Sequence, residues 1–150
     1  MAGIVVGVDG SANARSALDW AVGEAATRGA ALTVLTVHEI SHSLLTGRPV
    51  VLGADEDQLV AAQAAARDLV DKAVGALGGA TPASVVVRAV NGSAAGELID
   101  ATHDADLLVV GARGGAQAGG LAAHSPIGSV SNKVLHHAKC PVVVVPHSGD

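Results

Sequence analysis

The sequence predicts an α/β fold: a single domain over residues 1–150, built on a doubly wound, five-stranded parallel sheet in the order 3-2-1-4-5 with helices on both faces. Three observations lead to the fold class, and the strand order is an expectation carried with it. The chain has 150 residues, which suits one domain. Short valine-rich runs without polar residues alternate with longer stretches whose apolar residues recur every three or four positions. That alternation continues from one end of the chain to the other, with no internal repeat and no linker. Strands separated by helices favour parallel pairing through right-handed crossovers.

Each element has its own local reason. GIVVGV (Gly3 to Val8) is a continuous apolar run and reads as a strand buried on both faces. A helix follows, with Ser11 or Asn13 as cap, Ala17, Leu18, Ala21, Val22 and Ala25 on its apolar face, and Gly29 placed to end it. ALTVLTVHEI (Ala31 to Ile40) is the second strand. The stretch from Ser41 to Gly53 carries Gly47, Pro49 and Gly53 and reads as a long irregular loop. The second helix starts near Asp55, where Asp55, Glu56 and Asp57 suit the positive end of a helix dipole. Its inner face is Leu59, Ala62, Ala66, Val70, Ala73 and Leu77. SVVVRAV (Ser84 to Val90) is the third strand, and a short helix capped by Ser93 buries Ala95, Leu98 and Ile99. Asp106 to Ala112 is the fourth strand, Ser129 to Ala138 the last helix, and VVVVP the last strand.

Composition narrows the possible functions. Net charge is −5, Trp20 is the only aromatic residue, and there is no basic stripe, so no nucleic acid is expected as partner. Apolar runs are far shorter than a membrane span, and MAGIVVGVDGS lacks the basic start of a signal peptide. The expectation is a cytoplasmic protein with no membrane contact. Cys140, the single cysteine, has no internal disulfide partner and is expected to be a buried, inert thiol.

The segment from Val109 to Pro146 is the most informative. A phosphate needs donors, and a helix N-terminus offers free N–H groups at a positive dipole end, most accessibly beside glycine. PIGSVSNK supplies Gly128, then Ser129, Val130 and Ser131 at a helix start, while Gly111 and Gly114 lie at the end of the fourth strand. In a doubly wound sheet, these meet in the crevice beyond the strand C-termini. From the residues alone, phosphate binding and a plain N-cap role for Ser129 stand level. Neither G-x-x-x-x-G-K-[ST] nor G-x-G-x-x-G is present.

Taken together, IVVGVDGSANARSALDWA, ALTVLTVHEI, GSAAGELIDATHDADLLVVGARG and GSVSNKVLHHAKCPVVVVP make the chain resemble the universal stress protein family along nearly its whole length. The ATP-binding branch of that family carries a fingerprint of glycine, two residues, glycine, nine residues, then glycine with serine or threonine. Gly111 and Gly114 match the first pair, and Gly128 and Ser129 the last. The gap between the pairs is thirteen residues, so this loop is four residues longer. The resemblance implies ATP as ligand. Asp9 would contact ribose or a Mg ion, Gly10 and Ser11 would shape that wall, and Val37 would meet adenine through its backbone. Val110 would line the pocket, and Gly111, Gly114, Gly128, Ser129, Val130 and Ser131 would hold ribose and phosphates. It also implies a homodimer through the last strand, Val142 to Val145.

Other constellations are weaker. His38, Glu39 and His42 are close in sequence but lack zinc-type spacing. His136 and His137 suit the C-terminal end of a helix. His124 reads as a solvated loop residue. No nucleophile elbow is present, and no residue stands out to orient an attacking water. The expected function is therefore a dimeric, ATP-binding stress-response sensor or regulator acting on a regulatory protein partner. The alternatives are a non-nucleotide-binding interaction module of the same family and a slow Mg-dependent ATPase.

Overall fold

Unbroken apolar runs become the inner strands of a sheet covered on both sides. A computed structural model of the chain describes residues 3–9, 12–39, 41–45, 48–112 and 129–146. In chain order its elements are β1 (Ile4–Val8), α1 (Ala12–Arg28), β2 (Ala31–Glu39), β3 (Ser41–Leu45), β4 (Arg48–Leu52), α2 (Glu56–Gly75), β5 (Ser84–Gly92), α3 (Ala94–Ala101), β6 (Leu107–Gly111), α4 (Ser129–His137) and β7 (Val142–Val145). Five strands form an all-parallel sheet in the order β5-β2-β1-β6-β7. Numbered by their place in the chain, the sheet strands run 3-2-1-4-5, as expected.

The pleat sorts the side chains into two cores. Ile4, Val6 and Val8 of β1 join Leu32, Val34, Leu107 and Val109 against α1 and α2. Val5, Leu35, Leu108 and Val110 point the other way, against Ala95 and Leu98 of α3 and Val134 of α4. Alternate residues of one strand therefore serve opposite faces, as a period of two requires. The predicted face of α1 is the buried one: Ala17, Leu18, Ala21, Val22 and Ala25 are all at most 1% exposed. Its alanines let the helix sit close to the sheet, which suits a core with no aromatic ring. Burial of α2 is shallower, centred on Ala66 and Val70.

Local chemistry sets the helix ends. Asp55 opens α2 with a capping box: its carboxylate accepts from Gln58 N at 2.8 Å, and the Gln58 side chain accepts from Asp55 N at 2.8 Å. Ser93 caps α3 by accepting from Gly96 N at 3.2 Å. Gly29 ends α1 at φ 62°, where Gly29 N donates to Ala26 O and Ala30 N to Ala25 O. That pair of bonds is a Schellman motif, and its left-handed residue favours glycine. Ser11 and the chain around it lie outside the described residues.

One expectation is corrected. The stretch from Ser41 to Gly53 is not an irregular loop, because β3 and β4 pair antiparallel, from Ser41 with Leu52 to Leu45 with Arg48. In the sequence Gly47 and Pro49 read as loop punctuation. Yet Thr46-Gly47 falls between two short runs at hairpin spacing, and a two-stranded ribbon tolerates proline because both strands are edges.

Candidate functional site

In a parallel sheet all strand C-termini share one rim, and here the chain reverses its winding direction between β1 and β6. From β1 it runs outward through β2 to β5, then returns to β6 and β7 on the other side. Ligands of doubly wound folds bind at such a switch point. Register fixes who meets there. Val8 pairs with Thr36, so Asp9, the next residue, comes level with Val37. Val6 pairs with Val109, which brings Val8 level with Gly111.

The rim thus gathers seven of the residues expected there. Asp9 is exposed just beyond β1 and makes a polar interaction of its own. Val37 is half-buried in β2 on the α3/α4 side, Val110 is 3% exposed, and Gly111 ends β6. Ser129 is exposed at the first position of α4, Val130 is half-buried against the second core, and Ser131 is buried at 6% exposure. The Ser131 hydroxyl donates to Gly111 O at 2.6 Å and holds the start of α4 to the end of β6. Gly10, Ser11, Gly114 and Gly128 lie outside the described residues, as does His124.

The first amides of α4 have no partner within their own helix, and the positive end of its dipole lies at this rim. The wall opposite is aliphatic and backbone, from Val37, Val110 and Gly111. Among the described residues this wall offers a planar group strand-end N–H and C=O groups rather than an aromatic ring. Lys133 is exposed on α4.

Two polar contacts at the same rim were not expected from the sequence. The Glu39 carboxylate accepts from Ala94 N at 3.0 Å and so caps α3 together with Ser93. In the sequence Glu39 stands beside His38 and close to His42, whose side chain lies outside the described residues. Among the described residues no three His, Cys, Asp or Glu side chains converge. The Asn91 amide accepts from Ala54 N at 2.8 Å and donates to Ala54 O at 2.7 Å, pinning the entry to α2 against the end of β5. The sequence signal was Asn91-Gly92 at a strand end, where a side-chain amide substitutes for a missing strand partner.

Cys140 is half-buried rather than fully buried, and its thiol donates to Pro141 O at 3.4 Å. Burial pushes its pKa up, with the Asp106 charge adding to the rise and a backbone hydrogen bond at Leu108 opposing it. It therefore holds its proton more firmly than an ordinary cysteine, as an inert thiol should. Among the described residues no helix is long and apolar enough to cross a membrane.

Comparison with known proteins agrees with this architecture. Residues 2–146 match the model of the universal stress protein family. A universal stress protein of Mycobacterium tuberculosis is 34% identical over 156 aligned positions, covering 99% of this chain and 48% of that protein. One from Mycolicibacterium smegmatis is 34% identical, covering 99% of this chain and 49% of its own length. The chain thus spans about half the length of the curated relatives it matches. Among solved structures, UspA from Lactobacillus plantarum superposes with a TM-score of 0.69 at 25% identity, covering 96% of this chain and 97% of that one. A universal stress protein crystallised in complex with cAMP superposes with a TM-score of 0.66 at 28% identity, covering 99% of this chain and 100% of the other. On the family match and on these relatives, the chain belongs to the universal stress protein family.

Proposed function

We propose that this protein binds an adenine nucleotide, ATP in the first instance, at the C-terminal rim between β1 and β6. One observation carries the reading. The switch point of the sheet and the N-terminus of α4 meet at the same place, joined through Ser131 and Gly111. A strand rim without aromatic rings suits backbone recognition of a base, and a helix N-terminus suits phosphate. The cAMP complex of a 28% identical family member supports a nucleotide as the ligand class.

In this reading Val37 meets adenine through its backbone, while Val110 lines the pocket. Asp9, Gly10 and Ser11 flank the ribose. Gly111, Gly114, Gly128, Ser129, Val130 and Ser131 surround the ribose and phosphates. The Asp9 carboxylate, exposed at the rim, would hold a Mg ion, which would supply positive charge beside the phosphates. The protein acts in the cytoplasm as a stress-response sensor or regulator whose nucleotide state is read by a protein partner. It works as a homodimer through β7. Among the described residues β7 pairs only with β6, and its four valines are half-buried.

Calorimetric titration with Mg·ATP tests the nucleotide reading. Saturable binding, lost in Gly128→Val, is the expected result. No heat at millimolar ATP overturns it and favours the interaction-module alternative. Mg-dependent phosphate release, abolished by Asp9→Asn, would support the ATPase alternative. Sedimentation velocity of the wild type and of Val143→Asp tests the dimer.

A further inference from the structure

We propose that the Ser131 hydroxyl is a positioning group of this site: it sets the start of α4 through the Gly111 carbonyl and does not touch the ligand. The proposal rests on the nucleotide reading above. Ser129 and Ser131 look alike in sequence, but two helical steps rotate them roughly 200° apart. The structure separates them accordingly. Ser129 is exposed, whereas Ser131 is 6% exposed and faces inward with Val134, which is 0% exposed.

The hydrogen-bonding capacity of serine sharpens the point. A hydroxyl carries one hydrogen to donate. At Ser131 it is spent on Gly111 O at 2.6 Å, a short O–H···O bond in a buried place. A phosphate oxygen accepts and needs a donor, so the Ser131 side chain has nothing left to offer it. A position that only filled space would be served by alanine, which this chain uses freely. The buried hydroxyl is there because it is bonded, and its bond joins the last residue of β6 to the first turn of α4. Those are the two anchors between which a phosphate would sit, so their separation fixes the aim of the α4 amides.

The test compares the wild type with Ser131→Ala and Ser131→Thr as full chains. One readout is amide exchange at Lys133 and Val134, just past the first turn of α4, without nucleotide. The other is calorimetric affinity for Mg·ATP and for adenosine, which lacks phosphate. The alanine variant should exchange about 5–10-fold faster at both amides, the effect of losing one buried hydrogen bond. It should bind ATP about tenfold more weakly while keeping its adenosine affinity. Threonine, which keeps the hydroxyl, should restore both. Weaker ATP binding with unchanged exchange would make Ser131 a direct ligand group and overturn the proposal alone. Equal loss of ATP and adenosine affinity would make its role generally structural and also overturn it. A wild type that binds neither ligand would overturn the proposal together with the reading beneath it.

Discussion

Gly7 lies in β1 with the Leu98 side chain of α3 against it, and a methyl group there would crowd that leucine. A Cβ at this position would lie 2.8 Å from Leu98 Cδ2, 3.2 Å from Cδ1 and 3.5 Å from Cγ. Ordinary carbon contacts fall at about 3.5–4.0 Å, so the leucine would have to retreat by roughly 0.7 Å or more. Leu98 is only 5% exposed, so its retreat is opposed by the residues packed around it. Overpacking of this kind costs about 1–3 kcal/mol, and we expect about 2 kcal/mol for Gly7→Ala. In urea unfolding followed by far-UV circular dichroism, that lowers the midpoint by about 1 M. Leu98→Ala alone should cost about 2–5 kcal/mol through the cavity it opens. The double variant should be no worse than Leu98→Ala, because the new methyl fills part of that cavity. The coupling between the two sites is then about 2 kcal/mol. A Gly7→Ala protein within about 0.5 kcal/mol of wild type, or strict additivity in the double variant, would refute the tight contact of Leu98 with β1.

Other consequences are as direct. Asn91→Ala removes both bonds to Ala54 and should cost about 1–3 kcal/mol; exchange at the Ala54 amide should rise well beyond that at Leu59, and equal change at both would contradict the latch. Gly29→Ala places a Cβ at φ 62° and should cost about 1 kcal/mol in thermal or urea unfolding, since the space around it is open and only backbone strain acts. Iodoacetamide should modify Cys140 more slowly at neutral pH than a free cysteine, with its rate–pH curve displaced upward. The same raised pKa gives the folded state a tighter hold on the proton. Its contribution to stability is full below the unfolded pKa and is lost as pH rises through the folded one. A rate–pH curve matching free cysteine would refute the burial argument.

Much of the fold was legible because its signals are local and repeated. Ile4 to Val8 and Leu107 to Val110 announce inner strands by having no polar residue to expose. Ala17, Leu18, Ala21, Val22 and Ala25 announce one face of a helix by spacing. The β3–β4 hairpin was missed because Pro49 and Gly47 signal breaks as well as turns, and only pairing separates the two. At the candidate site, glycine and serine at a helix start pointed to the rim where β6 ends and α4 begins. The separate settings of Ser129 and Ser131 emerged only with α4 placed against β6. Asn91 and Glu39 were harder still. Their partners lie 37 and 55 residues away in the chain, and both bond to backbone atoms that carry no side-chain signature.

The central claim is a nucleotide held at the β1–β6 rim, and amide exchange with and without saturating Mg·ATP tests it most directly. Slowed exchange should appear at Asp9, at Val37 to Glu39, at Gly111 and Ala112, and at Ser129 to Ser131, with α1 and α2 unchanged. Saturable binding whose protection falls on another surface, such as the groove beside Trp20 and Leu77 between α1 and the end of α2, would contradict it.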